Sequence, residues 1–137
     1  MGTRSITHVH EMDELGGNIV CSFFRSWDGY PSGHGKDLAE WLKGKNLVNG
    51  RTGREKHGRD FNRAGEMAVK LMNHIQEKSG CEVVPTGASD YGEEFTYDIY
   101  FRNGNFYLAV DGEHSFPEFR VDQYDGEKLE NELIVDE

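Results

Sequence analysis

FTYDIYFRNGNFYLAVD, residues 95–111, holds two aromatic runs on either side of Asn103-Gly104. Asn-Gly is the pair that a two-residue type I′ turn requires, because both central residues need positive φ. A two-residue turn also sets the register. Arg102 then faces Asn105, Phe101 faces Phe106, Tyr100 faces Tyr107, Ile99 faces Leu108 and Tyr97 faces Val110. Side chains alternate along a strand, so Ile99, Phe101, Phe106 and Leu108 form one apolar face. Asp98, Tyr100, Arg102 and Tyr107 line the other, which is aromatic and charged together. Such a face either stays wet or binds something. A homo-oligomer is the expected use, since Tyr and Arg are enriched at interface cores, and a monomer with the acidic tail folded over this face is the competing account.

Working outward, SITHVHEM and NIVCSFFRSW read as two more strands joined at Gly16-Gly17. Ile19, Cys21 and Phe23 point one way and Val20, Ser22 and Phe24 the other. Both sets are largely apolar, which predicts an internal strand. Leu38, Trp41 and Leu42 fall at i, i+3 and i+4, a short helix with one buried stripe. Residues 43–58 have no period and are expected as a long basic loop. In DFNRAGEMAVKLMNHIQEKSG, residues 60–80, Phe61, Ala64, Ala68, Leu71, Met72 and Ile75 share a helical face. Asp60 suits the cap of that helix and Gly80 its stop. CEVVP follows as a short strand, and EFRVDQY suits a last one. The expected architecture is α+β: an antiparallel sheet of about five strands with two helices on one face, in the order β-β-α-α-β-β-β. Residues 1–125 form the single domain and 126–137 an acidic C-terminal tail.

The 137 residues carry a formal net charge of −10, which argues against a duplex nucleic-acid binder, since that needs a positive face. The charge is unevenly spread. From His34 to Arg63 eight Lys or Arg stand against four acids, a local +4, which leaves −14 on the remainder. A chain so polarised suits an anionic ligand on one surface and a basic partner on the other. No apolar run approaches the ~18 residues of a membrane span. MGTRSITH lacks a basic-then-apolar leader and two cysteines make no disulfide framework, so a cytoplasmic protein is expected.

Between the strand pair and the first helix lies RSWDGYPSGHGKDLAEWL, residues 25–42. Asp28-Gly29 and Tyr30-Pro31 are turn pairs. Gly33 and Gly35 admit close backbone approach where a helix begins and its first N–H groups lack intrahelical partners. Arg25, His34 and Lys36 add positive charge, and Trp27 and Tyr30 offer rings for stacking. The composition suits an anion cradle, although GHGKD is neither a phosphate loop nor a dinucleotide fingerprint. The candidate binding set is therefore Arg25, Trp27, Asp28, Tyr30, Gly33, His34, Gly35 and Lys36, with Arg51 and Arg54 from the basic loop. The competing account is a tightly packed strand-to-helix corner. Both stand at this point.

These residues, with the opening MGTRS and with LVNG and GEEFTYDIYFRNGNFYLAV, resemble a family of small uncharacterised tailed-phage proteins. The likeness runs to about Val110. It implies the cytoplasm of an infected bacterium as the setting, and inhibition of host defence or of a host enzyme as the kind of task. The expectation is a phage accessory protein that holds a small nucleotide-like anion and sequesters a defence signal. An acidic inhibitor docked on a host protein is the alternative, and a small enzyme acting on a nucleotide the second.

Other constellations are weaker. His8 and His10 share a strand face and could join a metal only with a third ligand from elsewhere. Cys21 sits in an apolar strand and suits packing better than nucleophilic attack. Asp28 with Glu93, Glu94 or Asp98 would make a carboxylate pair for acid–base work, but no spacing joins them. No catalytic residue, metal or cofactor is expected.

Overall fold

The computed structural model describes residues 3–11, 18–48, 60–76, 80–102, 104–111 and 118–134. Gly104, at φ +80°, turns β6 (Phe95–Arg102) into β7 (Asn105–Asp111). Their pairing has the expected register throughout, from Arg102 opposite Asn105 to Tyr97 opposite Val110. β1 (Ser5–His10) and β2 (Ile19–Arg25) form the second antiparallel pair, with Ser5 opposite Arg25 and an irregularity between Val9 and His10. The Gly16-Gly17 turn lies outside the described residues.

The two pairs meet through β1 and β6, which run parallel, with Ser5 opposite Phe95 and His8 opposite Asp98. The fold is α+β as expected, but the sheet is mixed rather than antiparallel. A parallel neighbour needs a long crossover, and the chain between β2 and β6 supplies one. β5 (Cys81–Val84) adds antiparallel to β2 at one edge, and β8 (Glu118–Arg120) to β7 at the other. Six strands result, in the order β5-β2-β1-β6-β7-β8, against about five expected. Part of the expected basic loop is also corrected. Asn46–Val48 (β3) and Asp60–Asn62 (β4) pair in parallel as a separate small sheet. Asp60 and Phe61 thus precede the helix instead of opening it.

One face of the large sheet carries the core. Val9, Phe23, Tyr97, Ile99, Phe106, Leu108 and Val110 lie under α1 (Lys36–Leu42) and α2 (Arg63–Ile75). Leu38 and Leu42 from α1, and Ala64, Met67, Ala68, Leu71 and Ile75 from α2, are their partners. Each buried Leu, Ile or Met there contributes about 1.5–3 kcal/mol. The other face is buried as well, although by residues of different chemistry: Ile6, His8, His10, Ser22, Asp98, Tyr100 and Ala109. The connection from β5 to β6 lies against it, with the Tyr91 ring 5.9 Å from that of Phe24 and the Gly87 N–H on Ser22 Oγ at 2.9 Å.

The segment expected as an acidic tail contains a third helix, α3 (Gly126–Ile134). Leu129 is buried and joins the core. With Glu127, Lys128 and Glu130 around it, one anchoring leucine is too sparse a pattern to announce a packed helix.

Candidate functional site

Arg25 closes β2 on the helix-covered face, directly opposite Ser5. The β2-to-α1 connection folds over it and ends in a π-helical turn, Pro31–Gly35, continuous with α1. Arg25 Nη1 donates to His34 Nδ1 at 2.9 Å. A guanidinium has only donors, so that imidazole nitrogen is the acceptor and the ring is neutral. The remaining proton sits on Nε2, which donates to Thr7 Oγ1 at 2.8 Å. His34 is fully buried, with its ring edge-on to Tyr97 at 5.3 Å. It therefore ties β1, β2 and the turn together, and is not a free cation facing a ligand.

Gly33 and Gly35 serve the chain's own packing. A Cβ on Gly33 would stand 2.7 Å from the Asp28 carbonyl and 2.9 Å from the Tyr30 ring. One on Gly35 would strike the Tyr124 hydroxyl and come within 3.0 Å of Tyr97. The connection's amides also find acceptors within the chain. Gly29 N–H donates to Thr3 O, Gly33 N–H to Tyr30 O and His34 N–H to Asp28 O. Ser32 N–H takes a carboxylate, Glu130 Oε2 of α3, at 2.6 Å.

What remains open at the corner is smaller than the predicted set. The Arg25 residue is 8% exposed, and its Nε has no hydrogen-bond partner among the described residues. Its nearest carboxylate among the described ion pairs is Asp28 Oδ2, 3.9 Å from Nη2 and well exposed. Ser5 Oγ, on the strand opposite, is buried and also without a partner. Trp27 is 47% exposed and Tyr30 36%. Asp28 adopts φ +57° and accepts the Tyr30 hydroxyl at 3.2 Å, a bond that pushes the phenol's pKa up. Lys36 lines a groove of about 300 Å³ together with Glu40, Lys43, Asp122 and Tyr124. Arg51 and Arg54 lie outside the described residues. Of the predicted set the structure thus brings together Arg25, Asp28 and Tyr30, and adds Ser5, Thr7, Tyr124 and Glu130, while Trp27 lies against Gly80. No local pattern in the sequence singled out the four added residues.

On the second face, Ser22 Oγ lies 2.7 Å from His8 Nδ1, and His10 Nε2–H donates to Asp98 Oδ1 at 2.6 Å. Burial lowers the His8 pKa, with His10 adding to the effect and Asp98 and Glu93 opposing it. Among the described residues no cluster of three His, Cys, Asp or Glu side chains is arranged to hold a metal. Asp98 faces His10 and not Asp28, while Glu93 and Glu94 accept the backbone N–H groups of Tyr91 and Arg4. Cys21 lies 3.9 Å from Met72 Sδ, and burial pushes its thiol pKa up, away from the nucleophilic thiolate. The Tyr100 hydroxyl donates to Glu118, Tyr107 stacks on Tyr100 at 5.5 Å, and Arg102 lies 4.4 Å from the centre of the Tyr107 ring. The expected interface residues are therefore partnered within one chain.

Compared with protein families, curated proteins and solved structures, the chain matches none. Among the described residues no helix is long and apolar enough to cross a membrane.

Proposed function

We propose that this chain is a phage accessory protein that binds a small nucleotide-like anion at the Arg25 corner and sequesters it. The phage setting rests on the motif resemblance. The ligand class rests on one observation: a buried guanidinium whose Nε is unsatisfied and which, among the described residues, has only a loose, exposed carboxylate 3.9 Å away. A buried polar donor without an acceptor costs about 1–3 kcal/mol, and more when it is charged. An anionic oxygen at Nε would remove that cost, and Ser5, opposite Arg25 on the neighbouring strand, carries a second buried polar atom without a partner. Trp27 and Tyr30, both exposed, offer ring faces to a base, while the Asp28 carboxylate can accept a sugar hydroxyl. A homo-oligomer belongs to the same proposal, because Tyr107 and Arg102 keep half-exposed outer sides.

The test is calorimetry against cyclic dinucleotides, NAD derivatives and mononucleotides, followed by denaturation and chromatography of the released ligand. Binding that Arg25→Met abolishes and Trp27→Ala weakens, with the ligand recovered intact, supports sequestration. A new product assigns the site to an enzyme. No binding to any of the compounds refutes the proposal. For the assembly, light scattering that gives 15.6 kDa at every micromolar concentration refutes the oligomer.

A further inference from the structure

The Pro31–Ser32 peptide unit is gripped on both sides by the chain's C-terminal segment. The Tyr124 hydroxyl donates to the Pro31 carbonyl at 2.8 Å, and the Glu130 carboxylate accepts the Ser32 N–H at 2.6 Å. Gly126, which opens α3, presses against that same peptide, where any Cβ would collide with the Pro31 carbonyl. Leu129, one residue before Glu130, is 2% exposed and anchors the helix in the core. Tyr124, Gly126, Leu129 and Glu130 thus form one strap over the turn. The bond to Ser32 is of the short, charge-assisted kind that an external anion would make with the same amide.

The strap also reaches the corner where the anion is placed above. His34, which accepts from Arg25, stands edge-on to Tyr97 at 5.3 Å, and a Cβ on Gly35 would meet both Tyr97 and the Tyr124 hydroxyl of the strap. We infer that α3 is a built-in competitor: Glu130 occupies the Ser32 amide as an intramolecular stand-in for the ligand's anionic group, and an external anion must displace it. The competition rests on the ligand reading above; the strap itself does not. A tethered group competes at an effective concentration in the millimolar range, so only a ligand that also engages Arg25 and the rings would outbid it.

Two measurements on the full chain separate the parts. The first is amide hydrogen exchange at Ser32 by NMR, in the wild type, Glu130→Gln and, as a control on an exposed charge of the same helix, Lys128→Gln. Exchange about tenfold faster in Glu130→Gln, with Lys128→Gln unchanged, is expected for the loss of one charge-assisted bond of ~1.4 kcal/mol. Unchanged exchange in Glu130→Gln overturns the strap. Should Glu130→Gln fold poorly, Glu130→Asp keeps the charge, withdraws it by one methylene, and is held to the same criterion. The second is a titration with inorganic pyrophosphate, followed at the Ser32 amide resonance. Half-saturation at about tenfold lower concentration in Glu130→Gln supports the competition, and equal affinities overturn it. Pyrophosphate that perturbs neither protein overturns the anion site and the competition together, while the exchange result still decides the strap.

Discussion

Replacing Gly35 by alanine separates a glycine that serves packing from one that serves a ligand. Gly35 has φ −60° and ψ −44°, ordinary right-handed helical values that alanine adopts freely. Backbone conformation alone would therefore make Gly35→Ala stabilising by about 0.8–1 kcal/mol. Against that gain, the new methyl would collide with the Tyr124 hydroxyl and stand 3.0 Å from Tyr97 Cε1. Tyr97 is fully buried and cannot retreat, so Tyr124 must move and release its bond to the Pro31 carbonyl. Overpacking costs about 1–3 kcal/mol and the lost hydrogen bond about 1 more. The expected net is a loss of about 1–3 kcal/mol, or roughly 3–5 °C in melting temperature per kcal/mol for a chain of this size. Gly65→Ala is the control. It lies in α2, is exposed, and a methyl there would meet nothing within 4 Å, so up to about 1 kcal/mol of stabilisation is expected. Urea melts of the two variants beside the wild type decide the matter. If Gly35→Ala proves as stable as Gly65→Ala, the glycine is not held by packing and the account of this corner fails.

Thr7→Val should cost about 1–3 kcal/mol in a urea melt, because it removes the acceptor of the His34 Nε2–H inside a fully buried site, and Thr7→Ser should restore most of it. A loss below about 0.5 kcal/mol would contradict the buried Thr7–His34 hydrogen bond. Because burial holds the His8 pKa below its ordinary 6.5, the unfolded chain binds the proton first; its neutral form favours folding above 6.5, and stability falls as pH drops below that value. His8→Asn should flatten the pH 5–7 slope of stability, and an unaltered slope excludes His8 as its source. Burial raises the pKa of Tyr97, Tyr100 and Tyr124, with the bond to Glu118 adding to it for Tyr100. Their contribution is complete below pH 10 and lost above it, so absorbance titration should show these phenols ionising late, with unfolding; Tyr100→Phe removes one of them.

The hairpin of β6 and β7 was legible because everything that specifies it is local: Asn-Gly sets the turn, and alternation sets the faces. The polar second face was legible for the same reason. The parallel pairing of β1 with β6 was not, since alternation is blind to strand direction and the crossover decides it. β3 and β4 are three residues each, too short for a period to declare itself. α3 escaped because its burial hangs on Leu129 and on Gly126 fitting a carbonyl 95 positions earlier in the chain. The candidate site divides along the same line. That the segment 25–36 is chemically dense was plain from composition, but whether its donors face the chain or a ligand depends on residues far away in sequence.

The two donor groups of that segment end in different states, and the difference gives the ligand reading its force. An N–H at the start of a helix attracts a carboxylate whether it belongs to a metabolite or to the same chain, so glycine and a helix start could only announce a donor. In the folded chain Glu130 answers it at Ser32, so an outside anion would have to displace that carboxylate to reach the amide. Among the described residues Arg25 receives no such answer: its acceptor there is the neutral His34, and the Asp28 pair, long and exposed, contributes about 0–1 kcal/mol at most. Burial of Nε without a partner opposes this with about 1–3 kcal/mol. The corner is therefore short of one acceptor even after α3 has docked. A second carboxylate of the chain could have closed that deficit only at its own desolvation cost, which is why the deficit supports, for this corner, the anion proposed above.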